Sequence, residues 1–448
     1  MPIALSLGPT HHREDGMRRQ GWRGICLIAL AVTFAYKPVY AQQKEDIGQL
    51  RQQMAEQRRL MEAMEKRLME LEGKEKERST KGLEAGYTKG EGPLRREFTA
   101  KDIYDGGFFV KTADDSFSLK MNGFAQVRYT FIDAEQSKSN HNFDVALARL
   151  AFSGHVFDPN FTYFMQYEAS TFGNNNRVTA LDWWMKYSFS PELAIQAGRF
   201  ILPYSRQFYT HPGNLLFSDL SAADYAFNLQ RAVGTHVGGK IGRLAYDGAL
   251  TNSIRALDAG GQQNIGNELA WLGRLELDVL DSYGYLESSP TPASKPQLSI
   301  GAAAAFNPID EGSAFQNVLP GDRTTNATID GGFRWDRFTL QAAGHFRHNN
   351  FKAFNRKSAD DWGYYVQAGY YLVPGRWELA GRVSGVDFGR ANNPAVLGDI
   401  MEYTGGLNYY LYGHNLKLQM DYSFLDTDRF SGAHRSAHQL RVQTQFLF

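Results

Sequence analysis

From about Tyr104 to the last residue, apolar and polar positions alternate with a period of two. NELAWLGRLELDVL sets Leu269, Trp271, Gly273, Leu275 and Leu277 against Glu268, Ala270, Arg274, Glu276 and Asp278. NLKLQMDYS sets Leu416, Leu418, Met420 and Tyr422 against Lys417, Gln419, Asp421 and Ser423. Successive side chains of a strand point to opposite faces, so each segment carries one apolar and one polar face. The segments run roughly ten to fifteen residues, against about five or six for strands of soluble sandwiches. Long strands of this kind suit a transmembrane barrel, because lipid satisfies no backbone hydrogen bond and tolerates no open sheet edge. The expected strands are 117–132, 143–157, 161–172, 178–190, 192–203, 228–241, 243–253, 266–280, 297–306, 324–335, 337–349, 361–374, 376–388, 400–411, 414–426 and 435–448. The predicted fold is therefore an all-β transmembrane barrel of about 16 antiparallel strands over 105–448, preceded by an α-helical coiled coil.

The connections refine this picture. Short turns such as FDPNF, FSPE, WDR, VPGR and YGHN alternate with longer polar segments, as periplasmic turns alternate with outer loops in such barrels. Two connections break the rule. SYGYLESSPTPASKPQ is long for a turn, and 204–227, YSRQFYTHPGNLLFSDLSAADYAF, carries Leu215, Leu216, Phe217 and Tyr225 among Arg206, His211, Asp219 and Asp224. Apolar residues in such numbers predict a loop folded against the inner wall; an external cap packed on other loops is the alternative. The chain ends HQLRVQTQFLF, with Leu440, Val442, Phe446 and Phe448 on one face. Phe448 is expected at the periplasmic rim, facing lipid or the folding machinery.

Upstream the period changes. Ile47, Leu50, Met54, Met61, Met64, Leu68 and Leu71 recur at spacings of three and four, with Gln57 at the one skipped position. This heptad seam predicts a self-associating coil over 42–75, ~45 Å long at ~1.5 Å per residue. A lone amphipathic helix on another surface is the alternative. Residues 76–104 are polar, contain Gly and show no period, which reads as a flexible linker. Before them, Arg18, Arg19 and Arg23, an apolar centre from Ile25 to Tyr36 and Val39-Tyr40-Ala41 form a secretory signal cut after Ala41. Met17 is the expected initiator, which puts residues 1–16 upstream of the true start. The only cysteine, Cys26, falls inside the signal without the small residues of a lipoprotein site, so no lipid anchor and no disulfide is expected in the mature chain.

Composition then excludes several function classes. Basic and acidic residues number 48 each, so no global charge recruits nucleic acid. Beyond the signal no stretch approaches the ~20 apolar residues of a spanning helix. No G-x-S-x-G, P-loop or H-E-x-x-H pattern occurs, and an enzyme is not expected. His345 and His348, and His434 and His438, have spacings that converge on a helix but not on a strand, so no metal site and no cofactor is expected. Residues 105–448 hold 29 Lys and Arg against 33 Asp and Glu. Selectivity of a pore depends on its narrow zone rather than this total. On the strand phase Arg128, Arg149, Arg274, Arg347, Arg382, Lys417 and Arg441 point inward with Glu268, Glu276, Asp278 and Asp421, a mixed lumen. Each basic residue is either a solute contact or a salt-bridged wall position.

Several segments carry a family likeness: FDVALARLAFSGHVFDPNFTYFMQYEAS, LDWWMKYSFSPELAIQAGRFILPY, LQRAVGTHVGGKIGRLAYDGALTNS and the terminal Phe. Their order resembles the phosphate-selective porin O and P family of Gram-negative outer membranes. The resemblance implies a sixteen-stranded homotrimeric barrel in the outer membrane lipid, a third loop that narrows the pore, and inward arginines and lysines that guide anions. Family members commonly carry several adjacent arginines in the second strand and a lysine in the GRFILPY segment; this chain has Arg149 beside Ala146 and Leu147, and Ile201. The expected anion contacts are Arg128, Arg149 and Arg206, the last two expected to face water, with small hydrophilic solutes, phosphate among them, as the cargo. A non-selective porin, or a tether reaching the cell wall through the coil, are the alternatives.

Overall fold

The computed structural model describes residues 43–80, 82–90, 106–135, 137–170, 177–252, 254, 268–308, 323–350, 358–389, 397–429 and 434–448. The signal read at 1–41 lies outside them. Residues up to Lys76 and from Glu77 onward form separate compact units. Helix α1, Gln43–Thr80, runs past the expected end at 75, where Lys76, Glu77 and Arg78 are good helix formers. Its seam residues Met54, Met61, Met64, Leu68 and Leu71 are exposed.

The segment expected as linker contains a strand. β1 (Leu83–Thr88) pairs antiparallel with β2 (Gly107–Thr112), Leu83 opposite Thr112 and Thr88 opposite Gly107. Six residues are too few to show a period, and their pairing is set by a partner remote in sequence. Tyr87 rests on Phe108 at 5.0 Å between ring centroids.

The barrel wall begins with β3 (Ser118–Ala134), β4 (Asn140–Val156), β5 (Asp158–Ser170), β6 (Arg177–Ser190), β7 (Leu193–Ile201), β8 (Arg231–Ile241), β9 (Leu244–Thr251) and β10 (Ala270–Asp278). It continues with β11 (Ala293–Pro308), β12 (Arg323–Asp336), β13 (Phe338–Asn350), β14 (Ala359–Val373), β15 (Trp377–Asp387), β16 (Leu397–Tyr410), β17 (Leu416–Arg429) and β18 (His434–Leu447). Each strand pairs with the next, and β18 returns to β3, Ala437 opposite Ala134 and Leu447 opposite Phe124. The sheet closes on itself at 16 strands, which removes the edge that lipid would not tolerate. Alternation holds along the wall: on β10, Arg274, Glu276 and Asp278 are buried inward while Trp271, Leu275 and Leu277 are exposed outward. Glu268, expected on the inner face, lies ahead of β10 and is exposed, because the strand starts later than the sequence pattern suggests.

At the closing seam the last residue is gripped by backbone. Phe448 N donates to Gly123 O at 3.0 Å and Gly123 N to Phe448 O at 3.2 Å. Its ring lies so close over Gly123 that a Cβ there would come within 2.3 Å of it. Phe108 of β2 flanks the same ring at 5.9 Å, and β2 continues along β3 where β18 ends, Phe108 opposite Met121.

Candidate functional site

Two chain segments enter the barrel interior from opposite ends. The first, between β7 and β8, folds inward as its apolar content predicts. Leu202, Tyr204 and Leu229, at its two feet, join Phe200, Ala232 and Leu272 in a buried apolar cluster. Within it Ser205 caps the short helix α2 (Arg206–Tyr209), a 3-10 turn follows at Pro212–Asn214, and Ser221 caps α3 (Ala222–Phe227) by accepting from Asp224 N at 3.1 Å. Capping serines satisfy helix donors that have no partner within the helix. The loop is tied across the lumen by wall side chains. Gln445 donates to Gly213 O at 3.0 Å, Lys417 to Leu215 O at 2.9 Å, and Arg347 to Ala226 O at 3.1 Å.

The second segment is the long turn between β10 and β11, which the sequence marked only by its length. Tyr283, Glu287 and Ser288 are buried inside the barrel. Glu287 accepts from Leu216 N at 2.8 Å and from Gln207 at 2.9 Å, so turn and loop meet in mid-lumen. Burial pushes the Glu287 carboxyl up from its ordinary value.

Arg206 belongs to this junction, and here the structure corrects the expectation that it faces water. Its side chain has no exposed surface. It donates through Nε to Asp330 at 2.9 Å and through Nη1 to Gly284 O at 2.8 Å, and Nη2 lies 2.9 Å from Glu276. Arg274 holds the other Asp330 oxygen at 2.7 Å. Two arginines and two carboxylates thus cancel in a buried quartet. Burial alone would lower the Arg206 guanidinium, but Glu276 and Asp330 outweigh it and raise it. It cross-links loop, turn and wall.

Arg128 and Arg149 lie elsewhere, around a cavity of about 340 Å³ between the loop and the wall of β3, β4, β7 and β8. Its wall side includes Gln126, Arg128, Arg149, Ile201 and Arg231, its loop side Phe208, Pro212, Leu215, Asp219 and Tyr225. Arg149 pairs with Glu168 through Nε at 2.6 Å, while its Nη1 is buried with no hydrogen-bond partner among the described residues. Arg128 donates to Gln443 at 2.8 Å and meets Asp219 at 3.2 Å. Arg441 reaches the same Asp219 oxygen at 3.3 Å while held by Asp421 at 2.7 Å. Burial would raise the Asp219 carboxyl, but Arg128 and Arg441 outweigh it and hold it below the usual value.

Arg231 was missed by sequence reasoning, because its strand position alone gives no lumen role. Its guanidinium grips Asp182 with two bonds of 3.0 Å at the cavity edge. The histidine pairs do not converge. His345 bonds Thr328 and stacks on Phe227, His348 meets Asp360, His434 meets Asp426 and Asp428, and His438 meets Tyr422.

Comparison with known proteins fits this arrangement. The family model described as phosphate-selective porin O and P matches residues 119–266 and 327–448. An uncharacterized protein of Aquifex aeolicus (strain VF5) is 23% identical over 297 residues, covering 62% of this chain and 70% of the relative. Among solved structures, the anion-selective porin from Comamonas acidovorans superposes with a TM-score of 0.51 at 12% identity, over 74% of this chain and 100% of that one. The outer membrane channel DcaP of Acinetobacter baumannii gives 0.53 at 10% identity, over 74% and 98%. OmpF of Salmonella typhi, in complex with daunomycin, gives 0.54 at 15% identity, over 75% and 99%. At these identities the solved structures share the fold.

Proposed function

Because the chain belongs to the phosphate-selective porin O and P family, we propose that its barrel is an outer-membrane channel through which small hydrophilic anions, phosphate among them, diffuse past Arg128 and Arg149. The observation that carries this reading is the Arg149 guanidinium. Arg149 lines the cavity between loop and wall, and its Nη1 is a buried donor without a partner among the described residues. A donor left unsatisfied away from water costs free energy, and an oxyanion in the cavity would supply the acceptor. Arg149 has Glu168, Arg128 has Asp219 and Arg231 has Asp182, so the fixed charge there is close to balanced and several weak contacts in series serve a solute that must also leave. Family and fold imply the outer membrane. Three copies assembled in the membrane, with α1 joined along its seam or reaching toward the cell wall, complete the proposal.

Planar-bilayer recording tests it. Wild type is expected to conduct with a reversal potential on the anion side. Arg149→Glu, in protein that still inserts as a folded barrel, is expected to shift that potential toward cations. Unchanged reversal potentials would leave a non-selective porin, and a protein that inserts without conducting would leave the tether.

A further inference from the structure

Asp219 has an unusual set of neighbours for a loop carboxylate. Its Oδ2 is shared between Arg128 Nη1 at 3.2 Å and Arg441 Nη1 at 3.3 Å, longer than the ~2.7–2.9 Å of a firm charge-assisted bond. Its Oδ1 is turned to the neighbouring Leu220 N at 2.9 Å. The side chain is 44% exposed where it borders the cavity, whereas those of Arg128 and Arg441 are each 8% exposed.

Other groups also hold both arginines in place. Arg128 is fixed by Gln443 at 2.8 Å and by the Ser218 carbonyl, and Arg441 by Asp421 at 2.7 Å. Arg382, paired with Glu402 at 2.6 Å, donates to the Asp219 backbone carbonyl at 3.0 Å rather than to its carboxylate. The preceding residue is pinned as well, because Ser218 N donates to Asp421 at 3.0 Å and its hydroxyl bonds the same oxygen. Rotation of the Asp219 side chain alone would free Arg128, which lines the cavity, and Arg441, which reaches the same carboxylate oxygen from the wall.

We propose that Asp219 is a built-in counter-ion, whose carboxylate occupies the Arg128–Arg441 cradle that a permeating oxyanion uses, so that a solute enters the constriction by displacing it. This rests on the channel reading above. The device selects by competition. A tetrahedral oxyanion such as phosphate offers more acceptor oxygens than the carboxylate and satisfies both guanidinium groups at full strength. Chloride, a single point of charge, replaces it poorly. With no solute present the carboxylate keeps the cradle neutral, which spares the interior an uncompensated positive charge.

The test uses the full-length channel in planar bilayers, reading inhibition of the chloride current by inorganic phosphate in 1 M KCl, where charges beyond ~3 Å are screened. Asp219→Asn keeps the shape and removes the charge. Its half-blocking phosphate concentration is expected to fall by about tenfold from wild type, as loss of a competing charged bond of ordinary strength would give. Asp219→Ala is expected to do the same and serves if the Asn variant fails to insert. Asp247→Asn, an inner-wall acid that faces His236 at 3.0 Å instead of these arginines, is expected to match wild type. An unchanged half-blocking concentration in both Asp219 variants, or an equal fall in Asp247→Asn, overturns the counter-ion while leaving the anion channel standing. A wild type without phosphate block overturns the channel reading, and the counter-ion with it.

Discussion

Asp224 shows how far the interior departs from water at the level of one residue. It lies on α3 with no exposed surface; Ser205 Oγ bonds one oxygen and the other has no partner among the described residues. Burial pushes its carboxyl up to about 7. A raised carboxyl binds its proton more tightly folded than unfolded, so its effect on stability is most favourable below about pH 4 and worsens as pH rises toward 7. Asp224→Asn is therefore expected to flatten this dependence and to gain on the order of 2–4 kcal/mol at pH 8, read from thermal unfolding of the purified barrel across pH. A variant less stable than wild type at pH 8 would contradict the assignment. The same scale separates the three arginines chosen from sequence. Their residue type could not say which would meet a solute, because Arg206 and Arg149 differ in burial and in the partners the fold brings to them.

At the scale of elements, the two inward segments are one structure. Glu287 of the turn holds Leu216 and Gln207 of the loop, while Arg206 of the loop holds Gly284 of the turn. The loop was legible because Leu215, Leu216 and Phe217 have no business in water. The turn was marked only by its length, although Tyr283, Tyr285 and Leu286 carry the same kind of signal more thinly. Gly363 on β14 belongs to this fit, since a Cβ there would come 2.5 Å from the Phe227 ring of α3. Deleting 210–222 removes the 3-10 turn, Asp219 and the start of α3 but leaves the wall strands paired. Single-channel conductance of that deletion is expected to rise severalfold, and conductance at the wild-type level would mean the loop does not limit flow.

For the whole molecule, closure of the sheet is the organising fact. Long alternating strands have nothing to bury against except lipid outside and each other's polar groups within, so β18 must return to β3 and every backbone group must pair along the wall. Helix α1 answers to a different rule. A stripe of Met54, Met61, Met64, Leu68 and Leu71 left exposed on a single helix is the pattern of chains that associate. An isolated 42–75 peptide is expected to sediment as an oligomer, and Met61→Asp or Leu68→Asp to make it monomeric, because each helix would bury an unpaired charge. A monomeric wild-type peptide would remove the coil from the assembly.

By itself the sequence determined the wall: its period of two, its strand count, the inward phase of Arg128, Arg149 and Arg274, and the helical segment ahead of it all follow from local spacing. These features depend on neighbours a few residues apart, which a linear pattern records. The tertiary structure alone decided which charges cancel. Arg206 meets Glu276 and Asp330, Asp219 meets Arg128 and Arg441, and Glu287 meets Leu216 because a closed barrel brings remote strands, a loop and a turn into one interior. There a carboxylate's effect depends on distances of about 3 Å, which spacing along the chain does not encode.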